Sequence, residues 1–216
     1  RILWFARLVS NLGNGMAPTA LAFGVLSLPG ATPQDLGFVL LAQAVPIVVL
    51  LPVGGVLADR LPRALVVSVT DGLLSLFVIA QGVLFLTGQA TVASTAAINV
   101  VAGILAALWW PAFPGIVPAV LGDRDLQQGN ALITIAANAG IISGAGVAGA
   151  LIAAFGAGTA IVIDGITFAV AALLVFSFRH ITPAKPSGDS MFEDLRHGWH
   201  TFTSFRWLWV IVGAFG

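Results

Sequence analysis

Two aspartates interrupt long apolar segments of the sequence, Asp71 within 64–87 and Asp164 within 158–179. An ionisable side chain inside a membrane segment costs about 2.5–3.5 kcal/mol even on a lenient insertion scale, so it needs a partner or a function. Arg7 lies at a depth similar to that of Asp71, and the two form either a structural ion pair or a protonation-linked pair. Asp164 has no basic residue on its side of the segment, so it either carries a proton or hydrogen-bonds to a neighbouring helix.

Amides and aromatic rings gather in two other apolar segments, 2–28 and 91–120, where prolines and glycines also interrupt the pattern. Broken helices free backbone polar groups near the middle of a membrane, and amides beside aromatic rings suit an amphipathic organic ligand. The cavity candidates are Asn11, Asn14, Thr19, Gln43, Trp109, Trp110 and Phe113. For the tryptophans, contact with lipid or core packing is the open alternative.

The composition explains which elements position these residues. Of 216 residues, 58% are apolar and 8% are charged, whereas about a quarter are charged in an ordinary soluble domain. A helix needs about 20 apolar residues to cross a bilayer. The sequence therefore predicts an all-α integral membrane protein. Its predicted spans are 2–28, 36–58, 64–87, 91–120, 130–154 and 158–179, with a seventh beginning near Trp207.

The spacing of these spans predicts three regions. Residues 1–180 form a six-helix bundle, built of two three-helix repeats of similar length. Residues 181–205 form a linker in which Ser190 and Glu193 make a capping box before an amphipathic helix. This helix lies either at the inner headgroup boundary or against the protein itself. Residues 206–216 begin a seventh helix that the chain leaves unfinished, so we expect the other half of the protein to follow Gly216.

The basic residues predict the orientation. All nine fall at one end of the predicted spans, and the connections at the other end carry neither Lys nor Arg. By the positive-inside rule, the N-terminus and the linker are cytoplasmic. We expect a multi-pass protein of the plasma membrane, of the bacterial inner-membrane type.

The link between the second and third spans reads GGVLADRLPR at 54–63. It resembles the signature loop of the major facilitator superfamily. Four residues match the signature: Gly55, Asp59, Arg60 and Arg63. Pro62 stands where the family usually has glycine. The resemblance implies the N-terminal half of a secondary transporter, in which this loop acts as a conformational switch that grips the other half.

Further segments, 10–15, 114–118, 129–132, 164–168 and 194–198, look like the branch that exports enterobactin and macrolides. Three glycines also match the antiporter signature of this superfamily: Gly140, Gly144 and Gly149. They predict close helix packing, although Ala145 replaces the proline of that signature. The resemblance implies proton-coupled efflux of a drug, macrolide or siderophore by alternating access, with that small molecule and protons as partners and no cofactor.

Two rival functions are an enzyme and a non-transporting receptor or scaffold. The single lysine, Lys185, precedes proline, so the sequence has no phosphate-binding Gly-Lys-Ser/Thr motif. The three histidines lie at or beyond the cytoplasmic ends of the spans, which argues against an intramembrane catalytic triad and against a metal site. We therefore expect no enzymatic activity and no metal. A seven-helix receptor would normally place its N-terminus outside, contrary to the arginines.

Overall fold

The computed structural model describes residues 2–116, 126–178 and 204, and within this part of the chain it contains six α-helices and no strand. The helices are α1 Ile2–Leu26, α2 Pro33–Arg60, α3 Arg63–Leu86, α4 Val92–Ala112, α5 Leu126–Phe155 and α6 Ala157–Phe176. A 3-10 turn, Phe113–Gly115, follows α4. The all-helical prediction is confirmed. The predicted linker helix and the start of the seventh span lie outside the described residues.

The six helices follow the six predicted spans closely. After α4 the chain changes to the 3-10 turn at Phe113, between Pro111 and Pro114, and Ile116 is helical again. Proline lacks the N–H that an α-helix needs and clashes with the preceding turn, so the two prolines explain this local change in helix type. The end of the predicted span, 117–120, lies outside the described residues.

Short capped turns join the helices at one end of the bundle. The backbone N–H of Thr32 donates to the Asp35 carboxylate at 2.8 Å, and that of Ser94 donates to the Thr91 hydroxyl at 3.0 Å. These contacts satisfy backbone groups at the starts of α2 and α4. We call this the capped end. The opposite end, where α2 finishes at Arg60 and α3 begins at Arg63, is called the arginine end.

Five of the six helices, α2 to α6, are long and apolar enough to cross a membrane by length and composition. The 25-residue α1 is long enough, but Asn11, Asn14 and Pro18 lower its hydropathy. Large apolar side chains such as Val48, Ile142 and Leu173 are exposed on the outer surface. Such a surface is suited to lipid rather than to water.

The helices pack mainly in three pairs, α1 with α5, α2 with α4 and α3 with α6. Exchanging α1 with α4, α2 with α5 and α3 with α6 converts the first pair into the second and leaves the third unchanged. The next contacts in size, α1 with α6 and α3 with α4, are exchanged in the same way. The packing thus has the symmetry expected of two three-helix repeats.

Glycines bring the backbones together in each pair. A Cβ placed on Gly54 of α2 would overlap the carbonyl oxygen of Ala107 in α4, and one on Gly144 of α5 would overlap that of Leu12 in α1. A Cβ on Gly82 of α3 would meet the backbone of α6. Contacts of this kind are typical of membrane helices, which associate largely by close packing.

The antiporter-like glycines separate into two groups. Gly140 and Gly144 both lie against the backbone of α1, whereas no atom lies within 4 Å of a Cβ placed on Gly149. Helix geometry explains the difference, because successive residues turn by about 100° and five residues carry Gly149 about 140° away from Gly144. Contrary to the sequence prediction, Gly149 is not a packing glycine within the described bundle.

Candidate functional site

A cavity of about 80 Å³ lies between α1, α3, α4 and α6. Its wall combines small polar side chains, one carboxylate and aromatic rings. The lining residues are Ser10, Asn14, Thr70, Asp71, Leu74, Leu105, Ala106, Trp109, Trp110 and Phe168. Three of the predicted cavity residues, Asn14, Trp109 and Trp110, are therefore in the wall, and so is Asp71.

Among the described residues, Asp71 is the only ionisable side chain that lines the cavity. It lies eight residues into α3, about 12 Å from the arginine end at 1.5 Å per residue, and only 3% of its surface is exposed. The hydroxyl of the preceding residue, Thr70, donates to the carbonyl of Val66 at 2.8 Å and so stays bound to its own helix. The Asp71 carboxyl group therefore provides the ionisable group of the described cavity wall.

Arg7 lies against two aromatic rings of α4 and its 3-10 turn. Its Cζ is 5.0 Å from the centre of the Trp109 ring and 4.4 Å from that of Phe113. The two rings are stacked, with centres 4.8 Å apart and planes 7° from parallel. A guanidinium over aromatic faces gains a cation–π interaction. Arg7 is thus held by the rings and does not line the cavity.

The predicted contact between Arg7 and Asp71 takes a different form from an ion pair. The two charges are close enough to act on each other, but among the described residues no salt bridge within 4.0 Å joins them. The Nε and Nη1 atoms of Arg7 are buried without a hydrogen-bond partner in this part of the chain. Arg7 instead contacts the stacked rings of Trp109 and Phe113, two residues four apart in sequence.

The other predicted cavity residues lie elsewhere. Asn11 is buried between α1 and α5, and its Nδ2 donates to the Arg7 carbonyl at 2.7 Å. Thr19 and Gln43 do not line the cavity, and the Gln43 carbonyl packs against Gly103 of α4. Phe113 also lies outside the wall and supports Trp109 by stacking. These four residues lie outside the wall of this cavity, and their assignment to a substrate cavity stays a prediction.

Several wall residues are not predicted from the sequence. Ser10 precedes Asn14 by four residues, and Leu105 precedes Trp109 by four. Residues four apart share a helix face, so a search around each candidate at that spacing would find them. Phe168 is different, because it comes from α6 and reaches the cavity only through helix packing. No local pattern marks it.

Asp164 occupies a separate place, at the contact between α6 and α1. Only 3% of its surface is exposed, and its Oδ1 has no hydrogen-bond partner among the described residues. A Cβ on Gly13 of α1 would overlap both this oxygen and the hydroxyl of Thr167. That hydroxyl donates to the Asp164 carbonyl at 2.7 Å. Gly13 therefore provides the space that the carboxylate occupies, and Asp164 does not share the cavity of Asp71.

The loop between α2 and α3 has its own charge contact. Asp59 accepts from Arg63 at 3.0 Å, and the Arg63 side chain runs against Gly115 in the turn after α4. Arg60 is half-buried at the end of α2. A Cβ placed on Gly55 would have no atom within 4 Å, and the close approach to α4 is made by its neighbour Gly54.

A comparison with known protein families supports the helical membrane architecture described above. A sequence profile described as "Major Facilitator Superfamily" matches residues 3–216, nearly the whole chain. The chain belongs to the major facilitator superfamily. Over 168 residues it is also 27% identical to a protein of Bacillus subtilis (strain 168) called "Uncharacterized MFS-type transporter YfiS". The match covers 78% of this chain and 39% of that relative, so this chain spans well under half of the relative's length.

Membership in the major facilitator superfamily indicates a multi-pass membrane protein, and α2 to α6 are its candidate membrane segments among the described helices. Its cavity of about 80 Å³ is far below the roughly 300–1,000 Å³ of a site for a drug-sized ligand. In this major facilitator chain, the described residues alone therefore do not enclose a site for a drug-sized ligand.

Proposed function

We propose that this chain is one half of a secondary transporter that exports an amphipathic small molecule in exchange for protons. The observation that carries the proposal is the cavity between α1, α3, α4 and α6, where the buried Asp71 shares a wall with Trp109 and Trp110. A buried carboxylate is costly and marks a functional position in membrane proteins. Aromatic walls with a few polar groups suit a ligand with an apolar body.

Alternating access needs a second half and a device that links the two. The cavity is exposed at Asn14 and at Trp110, whose surface is 62% exposed. In this proposal, that face supplies one wall for a ligand held between the two halves of the transporter. The Asp59–Arg63 pair at the arginine end is our candidate for the switch, because a charged loop at a membrane edge can hold or release a partner. In this proposal the arginine end is cytoplasmic, as the positive-inside rule indicates.

Proton coupling requires a side chain that binds and releases a proton inside the membrane. Asp164 is the candidate, because its buried Oδ1 has no hydrogen-bond partner among the described residues and it faces Gly13 across the contact between α6 and α1. A charged carboxylate there would be desolvated and unpaired, which is unfavourable. Binding and release of a proton would therefore change how tightly these two helices pack.

The test is transport by the full-length gene product in proteoliposomes with an imposed pH gradient. We expect accumulation of a fluorescent amphipathic substrate that stops when a protonophore collapses the gradient. Protein-free vesicles and the Asp164→Asn variant are the controls, and the variant should lose gradient-driven transport while still inserting into the membrane. Transport that persists after the gradient collapses would refute the coupling. Substrate binding without movement would favour a receptor instead.

A further inference from the structure

We propose that the cavity selects organic cations, with the positive centre of the ligand at Asp71 and its apolar body against the tryptophans. This inference names the substrate class of the transporter proposed above and rests on that function. It follows from the placement of charges around the cavity, which the sequence does not reveal. The sequence predicts Arg7 and Asp71 as a pair, and a paired carboxylate would leave a neutral cavity.

The lining residues carry a single charge. Ser10, Asn14 and Thr70 are neutral, so within the described part of the wall Asp71 is the only residue that can pair with a charged ligand. An anionic ligand would face this carboxylate with no cationic side chain in the described wall. A cation would instead replace some of the solvation that the carboxylate loses on burial.

Arg7 supports this polarity from behind the wall. Its guanidinium lies over Trp109 and Phe113, at 5.0 and 4.4 Å from the ring centres, and it makes no salt bridge within 4.0 Å to Asp71. The Arg7 guanidinium therefore interacts with the two rings, whereas Asp71 lines the cavity. Arg7 therefore lies behind the aromatic rings and does not occupy the cavity next to Asp71.

The aromatic residues complete a site for a cation. Trp110 is 62% exposed, so a face of its ring is open to a ligand, and Trp109 and Phe168 contribute to the same wall. The faces of aromatic rings carry negative potential and attract organic cations, an effect that strengthens when water is excluded. Ser10 adds a buried hydroxyl that has no hydrogen-bond partner among the described residues.

The experiment compares two ions of matched shape and opposite charge, tetraphenylphosphonium and tetraphenylborate. Binding of radiolabelled tetraphenylphosphonium to the purified full-length protein in detergent needs no ion gradient. We expect saturable binding that unlabelled tetraphenylphosphonium displaces and tetraphenylborate does not. The Asp71→Asn variant should bind at least about tenfold more weakly, because it loses a buried charge partner.

Asp35→Asn is the matched control, since it removes the same charge at the capped end, where Asp35 accepts from Thr32. This variant should bind as tightly as the wild type. Asp71→Glu keeps the charge and should retain more binding than Asp71→Asn, which guards against a simple folding defect. Thermal unfolding of each variant is measured alongside.

Three results would overturn the inference: no binding of tetraphenylphosphonium to the wild type, equal competition by tetraphenylborate, or unchanged binding by a folded Asp71→Asn variant. Failure of the proposed function gives a different pattern. Binding that depends on Asp71 without gradient-driven transport would refute the transporter and leave the cation site standing. Gradient-driven transport of neutral or anionic compounds, together with binding that does not depend on Asp71, would refute the cation site. It would leave the proposed transport function standing.

Discussion

Adjacent glycines near the end of α2 offer a sharp test of how the bundle is held together. The superfamily signature includes Gly55, but the structure places Gly54 against α4 and leaves Gly55 open. We predict that Gly54→Ala destabilises the protein and that Gly55→Ala does not. The two variants add the same methyl group one residue apart, so composition and expression context are matched.

The magnitude follows from the contacts of the added carbon. On Gly54 it would overlap the Ala107 carbonyl oxygen and lie 2.8 Å from the carbonyl carbon. Carbon atoms in contact prefer about 3.5–4.0 Å, so α2 and α4 must separate by at least about 0.7 Å. Overpacking of this kind costs about 1–3 kcal/mol, because the atoms in the way belong to the backbone and cannot rotate aside. On Gly55, alanine adds no contact and raises helix propensity by up to about 1 kcal/mol.

The assay is reversible unfolding in mixed detergent micelles, followed by tryptophan fluorescence, since Trp109 and Trp110 lie close to Ala107 in α4. A loss of about 1–3 kcal/mol corresponds to about a 5- to 150-fold change in the unfolding equilibrium. Gly54→Ala as stable as the wild type would contradict the backbone contact. Gly55→Ala as the more damaging variant would show that the signature glycine, and not its neighbour, makes the close approach.

Four further variants test the site, the contact beside Asp164 and the switch. Gly13→Ala should lower both thermal stability and transport, because its methyl group needs the space of the Asp164 carboxylate; unfolding and proteoliposome uptake measure the two effects. Trp109→Ala should cost about 3 kcal/mol of stability in the same unfolding assay, the lower end for a core aromatic residue, because this ring packs on the core while partly buried. Trp110→Ala should change stability by about 0.5 kcal/mol or less, as at exposed positions, but it should weaken ligand binding measured at equilibrium. Equal losses of stability in the Trp109 and Trp110 variants would contradict the positions assigned to the two rings. Asp59→Asn should slow transport without reducing membrane insertion, measured by uptake and membrane fractionation, and unchanged uptake would remove the switch role from this pair.

The helices can be predicted from the sequence because each carries its own signal. A long apolar segment predicts a membrane helix without information from other parts of the chain, and the turns at Thr32 and Thr91 have recognisable capping residues. The local signal is weakest near Phe113, where closely spaced prolines change the helix type within an apolar segment. The packing partner of each helix has no local signal, because apolar faces suit lipid and protein equally well.

The cavity can be predicted only in part. Composition correctly draws attention to Asn14, Trp109, Trp110 and Asp71, since polar and aromatic groups in an apolar helix stand out. It fails for Asn11, which is as polar as Asn14 but lies against α5 three residues earlier on the helix. Such differences depend on which neighbour covers each face, and that information lies in segments far away in sequence.

The backbone contacts at Gly54, Gly82 and Gly144 also have a mechanical consequence. A helix that touches its partner through main-chain atoms cannot slide along it without lifting away, because no side chain between them can change rotamer. Each helix pair therefore resists the sliding of one helix along the other and moves as one unit. We therefore expect large relative movements of the helices at surfaces without such contacts.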